Sequence, residues 1–281
     1  MLAAALIVFR ETLEAALIIS IVLAATKNLP NSRRWVALGL VGGLVGAAVV
    51  AVLADAITQA AQGMGQELFN AAVLLTAVVM LGWHNVWMQQ HGREMASNLR
   101  ATSAAVQAGE RSLLALTIVV GLAVLREGSE TVLFLFGIAT ADNGGLADMV
   151  GGGALGMIGG AAIGLVLYFG LLRIPQRYLF NVTSGLILLL AAGLAAQAVN
   201  FLVQADIVSS LGGRVWDSSW LLDEGTNVGR VFHTLIGYTA QPTPLQLIAY
   251  VMTVAIIGGL MWVVRPSTPG GPATPVQAAR S

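Results

Sequence analysis

The sequence predicts an all-α membrane protein. It reads as seven transmembrane helices built as a 3+3 inverted repeat plus one extra helix, with the N-terminus outside and the C-terminus cytoplasmic. Three observations carry this: apolar runs long enough to cross a bilayer, basic residues gathered on one side of those runs, and a charged pentad that occurs twice.

The runs come first. The chain of 281 residues is 57% hydrophobic and only 10% charged, with mean hydropathy +0.80. A soluble domain carries about 25% charged residues, so this chain could not cover a water-facing surface. Seven stretches approach the roughly 20 residues that a spanning helix needs: 2–26, 35–57, 69–88, 113–139, 149–172, 180–203 and 245–264. Lipid offers no partner to backbone polar groups, so continuous apolar runs must be helices. Strands of a barrel would alternate instead. The first run carries Arg10, Glu11 and Glu14 in its middle. It is not built like a cleaved secretory signal and is expected to stay.

Charge orients the runs. Lys27, Arg33, Arg34, Arg93, Arg100, Arg111, Arg173, Arg177, Arg265 and Arg280 all fall on one side, against Arg214 and Arg230 on the other. The positive-inside rule places the larger group in the cytoplasm. Asp55, Glu67, Asp142, Asp148, Asp206, Asp217, Asp223 and Glu224 then face outward, and only Glu94 and Glu110 face inward. Such a face is ordinary solvated loop, and it also concentrates cations. Net charge is zero, so nothing points to nucleic acid, and cysteine is absent. Thiolate sites and iron–sulfur clusters are therefore excluded.

The repeat follows. Residues 6–17, LIVFRETLEAAL, match 122–133, LAVLREGSETVL. Spans 2 and 5 share small-xxx-small spacing, at Gly39/Gly43, Gly42/Gly46, Gly156/Gly160 and Gly160/Gly164. That spacing allows helix backbones to approach closely. Spans 3 and 6 both open on Leu-Phe-Asn, at 68–70 and 179–181. Repeat 1 covers about 1–90 and repeat 2 about 113–204. An outer loop, 205–244, and a last helix, 245–264, complete one membrane domain, 1–266. The Pro-, Gly- and Ala-rich tail, 267–281, reads as disordered. Two copies of three spans must lie in opposite orientations, a plan that puts a transporter's site near the midplane.

The pentads are Arg10-Glu11-x-x-Glu14 and Arg126-Glu127-x-x-Glu130. A charge at mid-span costs about 2.5–3.5 kcal/mol, so such residues are functional by default. At about 100° per residue, each pentad puts two carboxylates and a guanidinium on one helix stripe. The arginine can offset one carboxylate and hold its rotamer. Facing pentads would keep two net negative charges, which suits a multivalent cation and repels an anion. Buried ion-pair staples would need only one Glu per Arg, and such pairs stabilise weakly. Carboxylates favour hard cations, and the scattered methionines offer no copper path.

These residues resemble the oxidase-dependent iron permease family: the fungal high-affinity iron permeases and their bacterial EfeU-type relatives. The resemblance covers the chain up to about residue 266. It implies an iron permease of the bacterial inner membrane, with iron as substrate and no cofactor. Glu11, Glu14, Glu127 and Glu130 would be the iron ligands, supported by Arg10 and Arg126. It also implies an extracytoplasmic ferroxidase or peroxidase partner. Asp223-Glu224 stands where the family has an acidic outer motif and is a candidate entrance, although it departs from the fungal acid-x-x-acid form.

Other residues are weaker candidates. His84 is a candidate exit-side ligand, or simply a bond to a neighbouring helix. His91 and His233 read as solvated loop residues. Gln197 and Asn200 could line a path or join helices. Asn227–Tyr238 has the spacing of a short amphipathic helix at the membrane surface. Two alternatives stay open: a transporter of another divalent cation, and a membrane enzyme such as a lipid phosphatase. The second would need more arginine than glutamate in its site. Hard carboxylate ligands suit ferric iron, and ferrous iron is also a reasonable guest, so the oxidation state stays open.

Overall fold

The computed structural model describes residues 1–61, 65–141, 146–169 and 176–264. Asp142, Arg173, Arg265, Arg280 and the tail 267–281 lie outside the described residues. Among the described residues there are eight helices and no strand: α1 (Leu2–Ala25), α2 (Ser32–Ala61), α3 (Gln66–Gln107), α4 (Leu114–Ala141), α5 (Leu146–Tyr168), α6 (Gln176–Gln204), α7 (Asn227–Ile236) and α8 (Pro244–Val263). Among the described residues, five stretches, in α2, α3, α5, α6 and α8, are long and apolar enough to cross a membrane. α1 and α4 are comparably long, and each is interrupted by the three charges of its pentad.

α3 departs from expectation. The apolar run ends near residue 88, and the connection after it was expected to be a loop. The helix instead continues to Gln107. Leu99 and Val106 on this extension bury against Ile18, Val22, Val36, Leu116 and Val120, so packing sustains the helix where hydropathy falls. His91 therefore sits on a helix, stacked on Trp87 with ring centroids 4.9 Å apart.

Close pairings organise the bundle. α1 lies along α5, α2 along α4, and α3 against α6, which also carries α8. Exchanging α1–α3 for α4–α6 maps the three main pairings onto themselves. Glycine makes them possible. A methyl on Gly39 would meet the Thr117 carbonyl at 2.6 Å, and one on Gly43 the Gly121 carbonyl at 2.7 Å. Gly156 and Gly160 face Ala5, Phe9 and Leu13 of α1 in the same way. Gly42 belongs to no such contact, since a methyl there meets nothing within 4 Å.

Two apolar clusters cap the middle of the bundle. One gathers Ala3, Ile7, Leu74, Phe134, Ile138 and Leu194. The other holds Val22, Val36, Leu99 and Leu116. Both pentads fall between them. Outward-facing residues such as Leu38, Val45, Val52, Ile158 and Val251 are exposed and apolar, a surface that water does not favour and lipid does.

The loop after α6 folds back on itself. Ser218 N–H donates to the Ala240 carbonyl at 2.9 Å, and Val215 N–H to Pro242. Hydrogen bonds from the Ser219 hydroxyl and N–H hold the Asp217 carboxyl below its usual range. α7 is capped at its start by Thr226, whose hydroxyl accepts from Gly229 N–H, and just past its end by Gly237 with φ +68°, a conformation natural to glycine.

Candidate metal centre

α1, α3 and α4 converge to build the site. α3 and α4 run antiparallel: Arg126 meets Trp87, Glu130 meets His84, and Gly137 faces Ala77. This register sets His84 beside the second pentad, while α1 brings the first against both. One ligand atom from each of Glu11, His84, Glu127 and Glu130 lies within 4.8 Å of the others.

The arginines act locally. Arg10 Nε is 2.9 Å from Glu14 Oε1, close enough to ion-pair but off axis for a hydrogen bond. Arg126 Nε donates to Glu130 Oε1 at 3.0 Å. Both are i,i+4 pairs, the neighbours that helix geometry provides. Glu11 and Glu127 have no arginine of their own among these pairs. His84 bridges the two halves. Its Nδ1 contacts Glu130 Oε2, and its Nε2 lies 3.9 Å from Glu11 and 3.7 Å from Glu14. Among the described residues, no N–H or hydroxyl donor reaches either Glu11 oxygen or Glu127 Oε2, and all three are buried. Unpaired buried oxygens on this scale are costly, and a cation among them would remove the cost.

The two halves differ in exposure. The Arg10 and Glu14 side chains are sealed at 1% and 2%, whereas Arg126 and Glu130 reach 31% and 16%. Arg126 stacks its guanidinium 4.0 Å over the Trp87 ring, a contact worth about 0.5–1 kcal/mol at a partly exposed site. Replacing Arg10 by methionine is expected to lower stability by about 3–5 kcal/mol, because it strands the Glu14 charge in the interior. Thermal unfolding in detergent would measure this. A change within error would mean that Glu14 does not depend on Arg10.

His84 sits among the carboxylates of both pentads. Asn85 beside it was not singled out from sequence. Its Nδ2 donates to the Ser184 carbonyl at 3.1 Å, while its Oδ1 is buried and unpartnered. Asp223 and Glu224 lie apart from the cluster, in the loop. Asp223 Oδ1 accepts from Gly225 N–H, and Glu224 Oε1 accepts from Ala240 N–H at 2.5 Å. His233, expected in a loop, is on α7 and half-buried, with Nδ1 bonded to the Tyr238 carbonyl at 2.7 Å.

Residues 1–267 match the model of the iron permease FTR1 family. The chain belongs to that family. It is 31% identical over 282 residues to the ferrous iron permease EfeU of Escherichia coli O6:K15:H31, covering 96% of this chain and 97% of the relative. It is 32% identical over 251 residues to EfeU of Shigella sonnei, covering 85% and 87%. EfeU of Yersinia pestis is 29% identical over 249 residues, covering 87% of each chain. No solved structure matches. The family consists of permeases, so this is a multi-pass membrane protein and not an enzyme, and the lipid phosphatase alternative drops out.

Proposed function

We propose that the protein carries iron across the bacterial inner membrane into the cytoplasm, with the cation held at mid-membrane by Glu11, Glu127, Glu130 and His84. The observation that carries this is the meeting of both pentads around one imidazole, with unpaired carboxylate oxygens inside. Four carboxylates and two guanidinium groups leave two negative charges for a divalent guest. Glu14 keeps Arg10 in place and lies close enough to join when the cluster rearranges. Carboxylates with an imidazole suit first-row transition metals better than magnesium or calcium. The relatives' name, ferrous iron permease, agrees with a divalent guest, and a partner that adjusts iron's oxidation state outside the cell fits the family resemblance.

In this reading α1–α6 and α8 all span the membrane, the N-terminus is outside, and α1–α3 and α4–α6 are inverted repeats. The exchange symmetry of the helix pairings supports the repeats. An outer face rich in acid gathers the cation, which moves inward with a membrane potential worth about 2.3 kcal/mol per charge per 100 mV.

The test is radioactive iron uptake into proteoliposomes under an inside-negative potential. Uptake is expected to follow the potential in the native chain, and to fall to the leak of empty vesicles in Glu11→Gln and Glu127→Gln. Folded variants that transport like the native chain would reduce the pentads to structural staples and end this reading.

A further inference from the structure

We propose a second cation-binding station under α7, on the outer side of the metal centre, with His233 Nε2 and the Gln197 side-chain oxygen as its donors. This rests on the permease reading for its direction, but its chemistry is separate.

A cavity of about 50 Å³ lies between the start of α1, the end of α4, α6 and the α7–Gly237 segment. A single water needs about 10–15 Å³ measured this way, so a cation with part of its shell fits. His233, Gln197, Thr239 and Gln246 supply the polar part of the wall. Gln246 has its oxygen committed to the capping box with Thr243. Gln197 has no hydrogen-bond partner among the described residues and is free to turn its oxygen inward.

His233 is set up as a ligand. A carbonyl can only accept, so the bond to Tyr238 must come from Nδ1–H. In the neutral ring that leaves the lone pair on Nε2. Ligand histidines are oriented in this way, by giving the other N–H to a carbonyl or carboxylate. Here both are at hand, since Glu224 Oε2 lies 3.9 Å from the same Nδ1. Imidazole with an amide oxygen, and no carboxylate in the wall among the described residues, suits a divalent transition ion held loosely.

Position makes it a waiting place. The cavity touches Ala3 and Ile138, each eight residues from a pentad glutamate, Glu11 and Glu130. That is about 12 Å along either helix. Between the two sites stand Ile7 and Phe134, both fully buried, with Phe134 edge-on to His84 at 6.3 Å. They form an apolar septum. The α7–Gly237 segment lids the cavity and is seated where Gly237 meets Gly193, and a methyl on either glycine would collide with the other's backbone.

The probe is Co²⁺ binding to the full chain in lipid nanodiscs, by equilibrium dialysis, together with the KM of iron uptake. The native chain is expected to bind two Co²⁺, and His233→Ala one, with KM raised about tenfold and maximal rate kept. Gln197→Leu, which leaves the lid's bonds alone, is expected to act in the same direction. Glu127→Gln keeps the His233 equivalent while losing uptake. Native stoichiometry and KM in both His233→Ala and Gln197→Leu would overturn the station. So would one native equivalent that disappears in Glu127→Gln, an outcome that leaves the permease reading standing. One native equivalent lost only in His233→Ala would support the station and sink the pentad site instead.

Discussion

His84→Gln is expected to cut iron uptake about 100-fold while the helices stay assembled. The imidazole touches carboxylates of both pentads, so its loss removes a donor and a bridge between α1 and α4. Losing even a group that only orients a ligand costs about 10–100-fold in metal affinity, and a ligand belongs at the upper end. Selectivity separates this from a packing effect. An all-oxygen cluster favours manganese and magnesium, whereas imidazole favours iron and its neighbours. Competition assays should show Mn²⁺ gaining on Fe²⁺ in the variant. Unchanged uptake and unchanged competition would make His84 a plain contact between helices.

Gly160→Ala is expected to lose both stability and transport. The added methyl would lie 2.6 Å from the Phe9 carbonyl, 2.9 Å from Thr12 Cβ and 3.1 Å from Leu13 N. Two of these are backbone atoms that no rotamer change can move. The strain, about 1–3 kcal/mol for an overpacked contact, falls on the turn of α1 that carries Glu11. A thermal midpoint and an uptake rate, measured on the same preparation, should fall together. Gly42→Ala is the control. Its methyl meets nothing, and alanine favours a helix over glycine by about 1 kcal/mol. If Gly160→Ala behaves like Gly42→Ala, the α1–α5 contact is looser than these distances require.

Part of the site is legible in the amino-acid sequence alone. Arg10, Glu11 and Glu14 stand out because an apolar run gives a charge no other excuse, and their recurrence at Arg126, Glu127 and Glu130 ties two distant segments together. The short α7 was legible too, since Val228, Val231, Phe232, Leu235 and Ile236 repeat at helical spacing. His84 was only half legible. A lone histidine in an apolar run looks the same whether it bonds one helix or joins three carboxylates of two helices, and only the α3–α4 register decides. That register was not readable, because hydropathy says nothing of how far one helix slides along another. Gly42 and Gly43 were indistinguishable for the same reason: spacing marks a small-residue face, but the facing helix determines which glycine is used. The continuation of α3 was missed because burial of Leu99 and Val106 against other helices, not a local apolar run, holds it.

α3 has a mechanical consequence. Its 42 residues make a rod of about 63 Å at 1.5 Å per residue, twice the roughly 30 Å of bilayer hydrocarbon. His84 lies 23 residues, about 35 Å, from its far end at Gln107. A tilt of about 10° that pivots on His84 would leave the imidazole where it is and swing Gln107 through about 6 Å. Any such tilt would have to carry the buried contacts of Leu99 and Val106 with it, so spin labels at the far end would report a movement of the surrounding helices as well as of α3.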